Sequence, residues 1–100
     1  MKTVVNKTTN IKMQDESGKT EFMDYKKLIQ ICINNPPKNG WTTDEMRKRI
    51  KIEDKLENIE VDDSIELEDA EFEKLLQCIM IPWQFMHKDV IGFEDYLKSL

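Results

Sequence analysis

One histidine and two cysteines are the residues of this sequence best suited to catalysis or metal binding. They are His87, Cys32 and Cys78. A nucleophile needs a base beside it, and no serine or cysteine near His87 comes with an orienting acid. Zinc needs three or four ligands at set spacings, which these residues lack. We therefore expect no catalytic, cofactor-binding or metal-binding residues. His87 is expected to cap a helix or lie on the surface, and both cysteines to be reduced core thiols.

The carboxylates and glycines do not form a recognisable site either. The segment Asp62-Asp63-Ser64 is acidic but lacks the ligand spacing and the glycine of a calcium-binding loop. Gly18, Gly40 and Gly92 are too far apart to form a phosphate-binding loop. Paired carboxylates can act as acid and base, but carboxylates are spread along most of this chain. The sequence therefore predicts a protein that is not an enzyme.

Charge is distributed unevenly along the 100 residues. Residues 1–52 carry 11 Lys or Arg and 6 Asp or Glu, a net charge of +5, whereas residues 53–100 carry 4 and 14, a net charge of −10. A lopsided solvated surface is the simpler explanation. The alternative is a dipolar molecule that docks by charge complementarity.

The only concentrated basic region is the basic segment, residues 47–51. Its charged side chains are Arg47, Lys48, Arg49 and Lys51. These residues could bind a nucleic-acid backbone. If the predicted elements form three helices followed by a hairpin, the chain could also adopt a winged-helix fold. A solvated face with a Glu45–Arg49 pair is the alternative. Glu53 and Glu57 in the following turns would repel phosphates, so nucleic-acid binding is disfavoured.

Two other surfaces could bind a partner protein. The acidic segment, residues 53–73, holds 11 acidic residues and one lysine. It is either a solvated face, a docking surface for a basic partner or a mimic of nucleic-acid charge. The apolar residues around Trp83 either form an exposed corner or close the core. The candidate contact residues on these two surfaces are Glu57, Glu60, Asp62, Asp63, Glu66, Trp83 and Phe85.

The N-terminal 23 residues differ from the rest of the chain. β-Forming residues such as Val4, Val5 and Ile11 precede the turn residues 15–18, and residues 20–23 could return as a second strand. We expect either a β-hairpin or a flexible N-terminal arm. Residues 58–68 alternate between apolar and charged side chains, which indicates a second small hairpin or an extended connector.

The remaining residues show helical periodicity with clear start signals. Asp24 is expected to cap the first helix, and Pro36 follows its end. Thr42 and Glu45 have capping-box spacing at the start of the second, whose apolar stripes fit one long helix or two short ones. Asp69 is expected to cap a third helix. Pro82 is expected to end this third helix, and a last helix is expected to begin near Lys88.

Residues 42–97 have the layout of a known group of proteins. The layout is carried by the segments Thr42 to Ile50, Ile52 to Glu57 and Ile65 to Asp69, followed by Leu75, Trp83 and Phe93. It resembles that of small uncharacterised proteins encoded by tailed phages and prophages. The resemblance implies a phage-related accessory or virion-associated role. The matching positions are helix caps and core residues, so no functional residues follow from the resemblance.

These patterns predict a mainly helical α+β domain over residues 1–100, with about four helices and one or two short β-hairpins. We expect a non-enzymatic interaction or assembly module that binds a protein partner or a second copy of itself. The alternatives are a small winged-helix-like nucleic-acid-binding regulator and an acidic inhibitor that mimics DNA. Because the N-terminus lacks an apolar signal region and no stretch could span a bilayer, we expect a cytoplasmic protein, in the host cytoplasm or the virion.

Overall fold

A computed structural model describes all 100 residues and contains four strands and four helices. The elements in chain order are β1 (Lys2–Val5), β2 (Thr8–Gln14), β3 (Thr20–Asp24), α1 (Tyr25–Ile33), α2 (Thr43–Leu56), β4 (Ser64–Leu67), α3 (Asp69–Cys78) and α4 (Lys88–Lys98). The predicted α+β class with four helices is confirmed.

The strands form two separate antiparallel pairs. β2 and β3 make the N-terminal hairpin, which starts at Thr8 rather than at Val4. β1 pairs instead with β4, so that Lys2 lies opposite Leu67 and Val5 opposite Ser64. Of the two alternatives for residues 58–68, the hairpin is wrong, because Ser64–Leu67 pairs with the strand near the N-terminus and residues 58–63 form no strand. The order of three helices followed by a hairpin is also not found, since β4 separates α2 from α3.

Two predicted helix starts are confirmed by their cap geometry. The Asp24 carboxylate accepts a hydrogen bond from the Lys27 N–H at 3.0 Å. The Thr42 hydroxyl accepts one from the Glu45 N–H at 3.1 Å. Each side chain satisfies one of the N–H groups that lack a partner in the first helical turn. In both cases the residues involved lie three positions apart, which is why the sequence alone located them.

The cap of α3 differs from its prediction, and that of α4 agrees with it. The N-cap of α3 is Glu68, whose N–H donates to Glu71 Oε1 at 2.7 Å. Asp69, expected as the cap, is the first helical residue and accepts from the N-terminal amine at 2.9 Å. His87 caps α4, and its Nδ1 accepts from the Asp89 N–H at 3.0 Å.

α2 is one continuous helix whose two apolar stripes have different surroundings. Ile52 and Leu56 are fully buried. Met46 and Ile50 keep 42% and 54% of their surface exposed. The stripe of Met46 and Ile50 is therefore not covered by a neighbouring helix, and it leaves apolar surface open to solvent.

All elements except β3 contribute to one hydrophobic core of 18 buried apolar residues, and β3 packs the partly buried Met23 against it. Both cysteines are free and belong to it, and burial raises the pKa of the Cys32 thiol to about 12. α4 holds the N-terminal strands in place, because Tyr96 Oη accepts from the Val5 N–H at 3.0 Å and Asp89 Oδ2 from the Asn10 N–H at 2.8 Å. The largest fully buried side chains are Phe93, Leu28, Ile29, Ile52, Leu56, Leu67, Leu75, Ile79 and Leu97.

Candidate functional site

The acidic candidate residues are all exposed, but part of their segment has a structural role. The exposed residues are Glu57, Glu60, Asp62, Asp63 and Glu66. Asp63 Oδ2 accepts a hydrogen bond from the Glu60 N–H at 2.8 Å and so closes the loop between α2 and β4. Asp62 has a φ of 74°, a left-handed conformation that asparagine and aspartate tolerate better than most residues. The carboxylates of this loop therefore shape the backbone as well as the surface charge.

Asn6 fastens this loop to the start of α1 and was not recognised from sequence. Its side chain is buried, and Nδ2 donates to Asp24 Oδ2 and to the Glu60 carbonyl, both at 3.1 Å. Its Oδ1 accepts from the Lys26 N–H at 2.8 Å. The Asn6 backbone also bonds to the loop residues Asp62 and Asp63. The N-terminal segment that sequence allowed as a flexible arm is thus attached here to α1 and to the loop before β4.

The corner around Trp83 is only partly available to a partner. Trp83 and Phe85 are half-buried, and their rings meet edge to face with centroids 5.9 Å apart. Trp83 also packs edge to face on the buried Phe93. Only Met86, which is 99% exposed, projects freely from this corner. Trp83 and Phe85 therefore pack mainly against the core.

The basic segment does not present its four charges on one surface. Arg49 lies between α1 and α2, with Nε donating to Glu45 Oε1 at 2.9 Å. Its Nη1 donates to the carbonyls of Ile33 and Asn35 at 3.1 and 2.6 Å. These carbonyls belong to the end of α1, where helical carbonyls lack partners. Arg49 thus joins two helices, and it is not available to bind phosphates.

Lys48 and Lys51 lie on the side of α2 next to α3, where both line a polar depression. Lys48 also forms an exposed i, i+4 pair with Asp44 at 3.1 Å. Arg47 is exposed and forms no salt bridge. One free arginine remains on the outer face of α2.

An apolar groove of about 230 Å³ opens between the end of α1 and the outer face of α2. We call it the α1–α2 groove, and its lining residues are Ile33, Asn34, Trp41, Met46, Arg49, Ile50 and Glu53. Trp41, Met46 and Ile50 are exposed. Arg49 lies beneath the Trp41 ring, 4.9 Å from its centroid, which fixes the ring at one edge of the groove. The sequence partly indicated this groove, because Met46 and Ile50 form an apolar stripe on α2 separate from that of Ile52 and Leu56.

Glu53 places a polar group in the wall of this groove. Its Oε1 accepts from Gln30 Nε2 at 3.1 Å, which bridges α2 to α1. Its Oε2 is buried and has no hydrogen-bond partner. A buried acceptor without a donor is unfavourable. The groove can therefore hold apolar side chains from another molecule together with a hydrogen-bond donor, whereas it contains no nucleophile with a base.

Glu45 is held by two basic side chains from different elements. Arg49 Nε and Lys74 Nζ both contact its Oε1, at 2.9 and 3.0 Å. This triad joins α2 to α3 and replaces the return bond of the capping box expected from sequence. The hydrogen bond from Lys74 lowers the pKa of Glu45 below its ordinary value of 4.5; partial burial opposes the shift, and Arg49 adds to it.

We expect the free energy of unfolding to fall as the pH drops below 4.5, in part because Glu45 becomes protonated. A carboxylate with a lowered pKa in the folded state stabilises the protein above its unfolded pKa. That contribution is lost as the pH falls through the folded pKa. Glu45→Gln should lower stability at neutral pH and flatten this dependence in urea unfolding measured across the acidic range. Asp44→Asn, which removes only the exposed pair with Lys48, is the control; an equal flattening in both variants would contradict the assignment.

No group of three or more histidine, cysteine, aspartate or glutamate side chains is arranged to hold a metal ion. None of the four helices is both long enough and apolar enough to span a bilayer. Comparisons of the chain with protein-family models, with curated proteins and with solved structures found no match.

Proposed function

We propose that this protein is a non-enzymatic interaction or assembly module that docks another protein chain on the α1–α2 groove. The observation that supports the proposal is the exposed apolar stripe of α2, Met46 and Ile50, which continues across the groove to Trp41. Exposed apolar clusters of this kind are typical of protein-binding surfaces, and aromatic, methionine and arginine residues are enriched there.

The groove is a better candidate than the surfaces suggested by sequence. Trp83 and Phe85 are already packed against the core. The acidic side chains of the loop are exposed and contribute charge at the C-terminal end of α2. In this proposal Asp54 and Glu57 flank the groove and steer an approaching partner, while the apolar stripe supplies most of the affinity.

The resemblance to tailed-phage proteins suggests the setting. A small accessory or virion-associated protein that acts by contact needs a docking surface and no catalytic group. We accordingly place the partner among the proteins of the host cytoplasm or the virion. The crosslinking experiment described next also tests this setting, because it identifies the partner.

Site-specific photocrosslinking in the native host tests the proposal. A photoreactive residue at position 46 should form protein adducts that the same residue at position 86 does not form, although Met86 is the more exposed of the two. The crosslinked chain, once identified and purified, should bind wild-type protein directly. Absence of adducts at position 46, or equal adducts at both positions, would remove the basis of the proposal.

A pair of matched variants sharpens the result. Ile50 and Ile91 are exposed isoleucines on different helices, at 54% and 65% of their surface. Ile50→Asp should weaken binding of the purified chain by about tenfold or more, as expected when a charge enters an apolar contact. Ile91→Asp should leave binding nearly unchanged. Equal losses in the two variants would place the contact outside the groove.

A further inference from the structure

The exposed face of α2 carries a specific order of charge and apolar residues. Its exposed members lie three, four or seven positions from Ile50 and are Thr43, Met46, Arg47, Asp54 and the C-cap residue Glu57, with Ile50 itself. A helix advances about 1.5 Å per residue with 3.6 residues per turn, so these side chains lie along one stripe. Ile50 is at the middle of the stripe. The positive charge lies on its N-terminal side and the negative charges lie on its C-terminal side.

This order of charges is complementary to the same order on a second α2 helix that runs in the opposite direction. In an antiparallel pair of α2 helices related by a twofold axis near Ile50, Arg47 of each copy lies opposite Asp54 of the other. The separations from Ile50 are three and four residues, or about 4.5 and 6 Å along the axis. A parallel pair would instead place like charges side by side. A twofold axis also produces both salt bridges from one pair of residues, as in other isologous dimers.

We propose that a second copy of this chain covers the α1–α2 groove, with the two α2 helices antiparallel around Ile50. The inference rests on the proposed function and names the occupant of its docking surface. Met46 and Ile50 of both copies form the apolar seam between the helices. Arg47 and Asp54 form reciprocal salt bridges at its two ends.

The two kinds of contact have different roles. Solvent-exposed salt bridges contribute little affinity, so the apolar seam and the covered Trp41 edge stabilise the dimer. The charges select the antiparallel orientation, because the wrong orientation places like charges together. Arg47 is well suited to this role, since it is exposed and has no salt-bridge partner within its own chain.

The dimer is tested by sedimentation equilibrium of the purified chain up to millimolar concentration. Wild type should show a monomer–dimer equilibrium with a limiting mass of twice 11.9 kDa. Arg47→Asp and Asp54→Arg should each raise the dimer dissociation constant by about tenfold. Asp95→Arg, which changes an exposed acid on α4, should leave the constant nearly unchanged. Circular dichroism and urea unfolding verify that each variant is folded.

Charge exchange gives the decisive comparison. The double variant Arg47→Asp/Asp54→Arg should dimerise almost as well as wild type, because both salt bridges return with their charges reversed. An equimolar mixture of the two single variants should also form dimers more tightly than either variant alone. A simple loss of helix stability would give neither recovery.

The possible failures are distinguishable from those of the proposed function. A monomer at all concentrations overturns the dimer, and so does a dimer that Ile50→Asp leaves intact. If photocrosslinks at position 46 lead only to a different protein, the docking surface stands and the second copy is excluded. If they lead to this same chain and follow the charge exchange, both proposals are supported.

Discussion

Phe93→Ala is expected to lower the free energy of unfolding by about 3–5 kcal/mol, the range typical of truncating a buried phenylalanine. Phe93 is fully buried at the centre of the core. Its ring lies 5.1 Å from that of Tyr25 and 6.4 Å from that of Trp83, both in edge-to-face geometry. The alanine would leave a cavity between α1, α4 and the Trp83 segment, and it would remove two aromatic contacts.

Urea unfolding followed by circular dichroism measures this loss. A domain of this size has a total stability of about 5–15 kcal/mol, so the variant should be close to unfolding at physiological temperature. Phe22→Ala is the matched control, because Phe22 is 52% exposed on the hairpin and should change stability by less than about 1 kcal/mol. If Phe93→Ala stays within about 1 kcal/mol of wild type, the core is not organised around this ring.

Asn6→Ala is expected to lower the free energy of unfolding by about 2–4 kcal/mol, because three part-buried polar groups lose their partners at once. The side chain satisfies the Lys26 N–H, the Glu60 carbonyl and one oxygen of Asp24. Alanine satisfies none of them, and the loop before β4 would come loose from α1. Amide hydrogen exchange should therefore rise first at the Lys26 N–H and at the loop residues 60–63.

A neighbouring asparagine provides the control for this experiment. Asn10 is exposed and uses only its backbone N–H, which donates to Asp89. Asn10→Ala should change stability by less than about 0.5 kcal/mol. Equal losses at positions 6 and 10 would show that general strand propensity, and not the buried hydrogen bonds of Asn6, accounts for the effect.

Local features of this fold could be predicted from sequence because their determinants are neighbours in the chain. The caps at Asp24, Thr42 and His87 involve residues two or three positions apart. The buried stripe of α3 follows directly from helical periodicity. The wrong cap at Asp69 is an error of only one residue. Glu68 is the N-cap instead, because its N–H donates to Glu71 Oε1.

Non-local pairings could not be predicted in this way. β1 and β4 are short and separated by almost 60 residues, and either could have paired with another strand. Glu45 was expected to bond back to Thr42, but Lys74 from α3 provides a stronger, charged donor. The role of Asn6 could not be predicted, because its partner in the loop at residues 60–63 lies more than 50 residues away in sequence.

The candidate surface shows the same limit. Sequence indicated the exposed acidic segment and the two stripes of α2. It left open whether Arg49 binds phosphates or pairs with Glu45, and whether Trp83 forms an exposed corner or closes the core. Both became internal only when their neighbours were positioned, Arg49 against the end of α1 and Trp83 against Phe93.

By itself, the sequence determined the α+β class, three of the four helix caps and the charge asymmetry, because hydrogen bonding and side-chain periodicity act within a few residues. Only the tertiary structure decided which apolar stripe stayed exposed, because that depends on whether another element lies close enough to cover it. For Met46 and Ile50 none does, and the α1–α2 groove is the result.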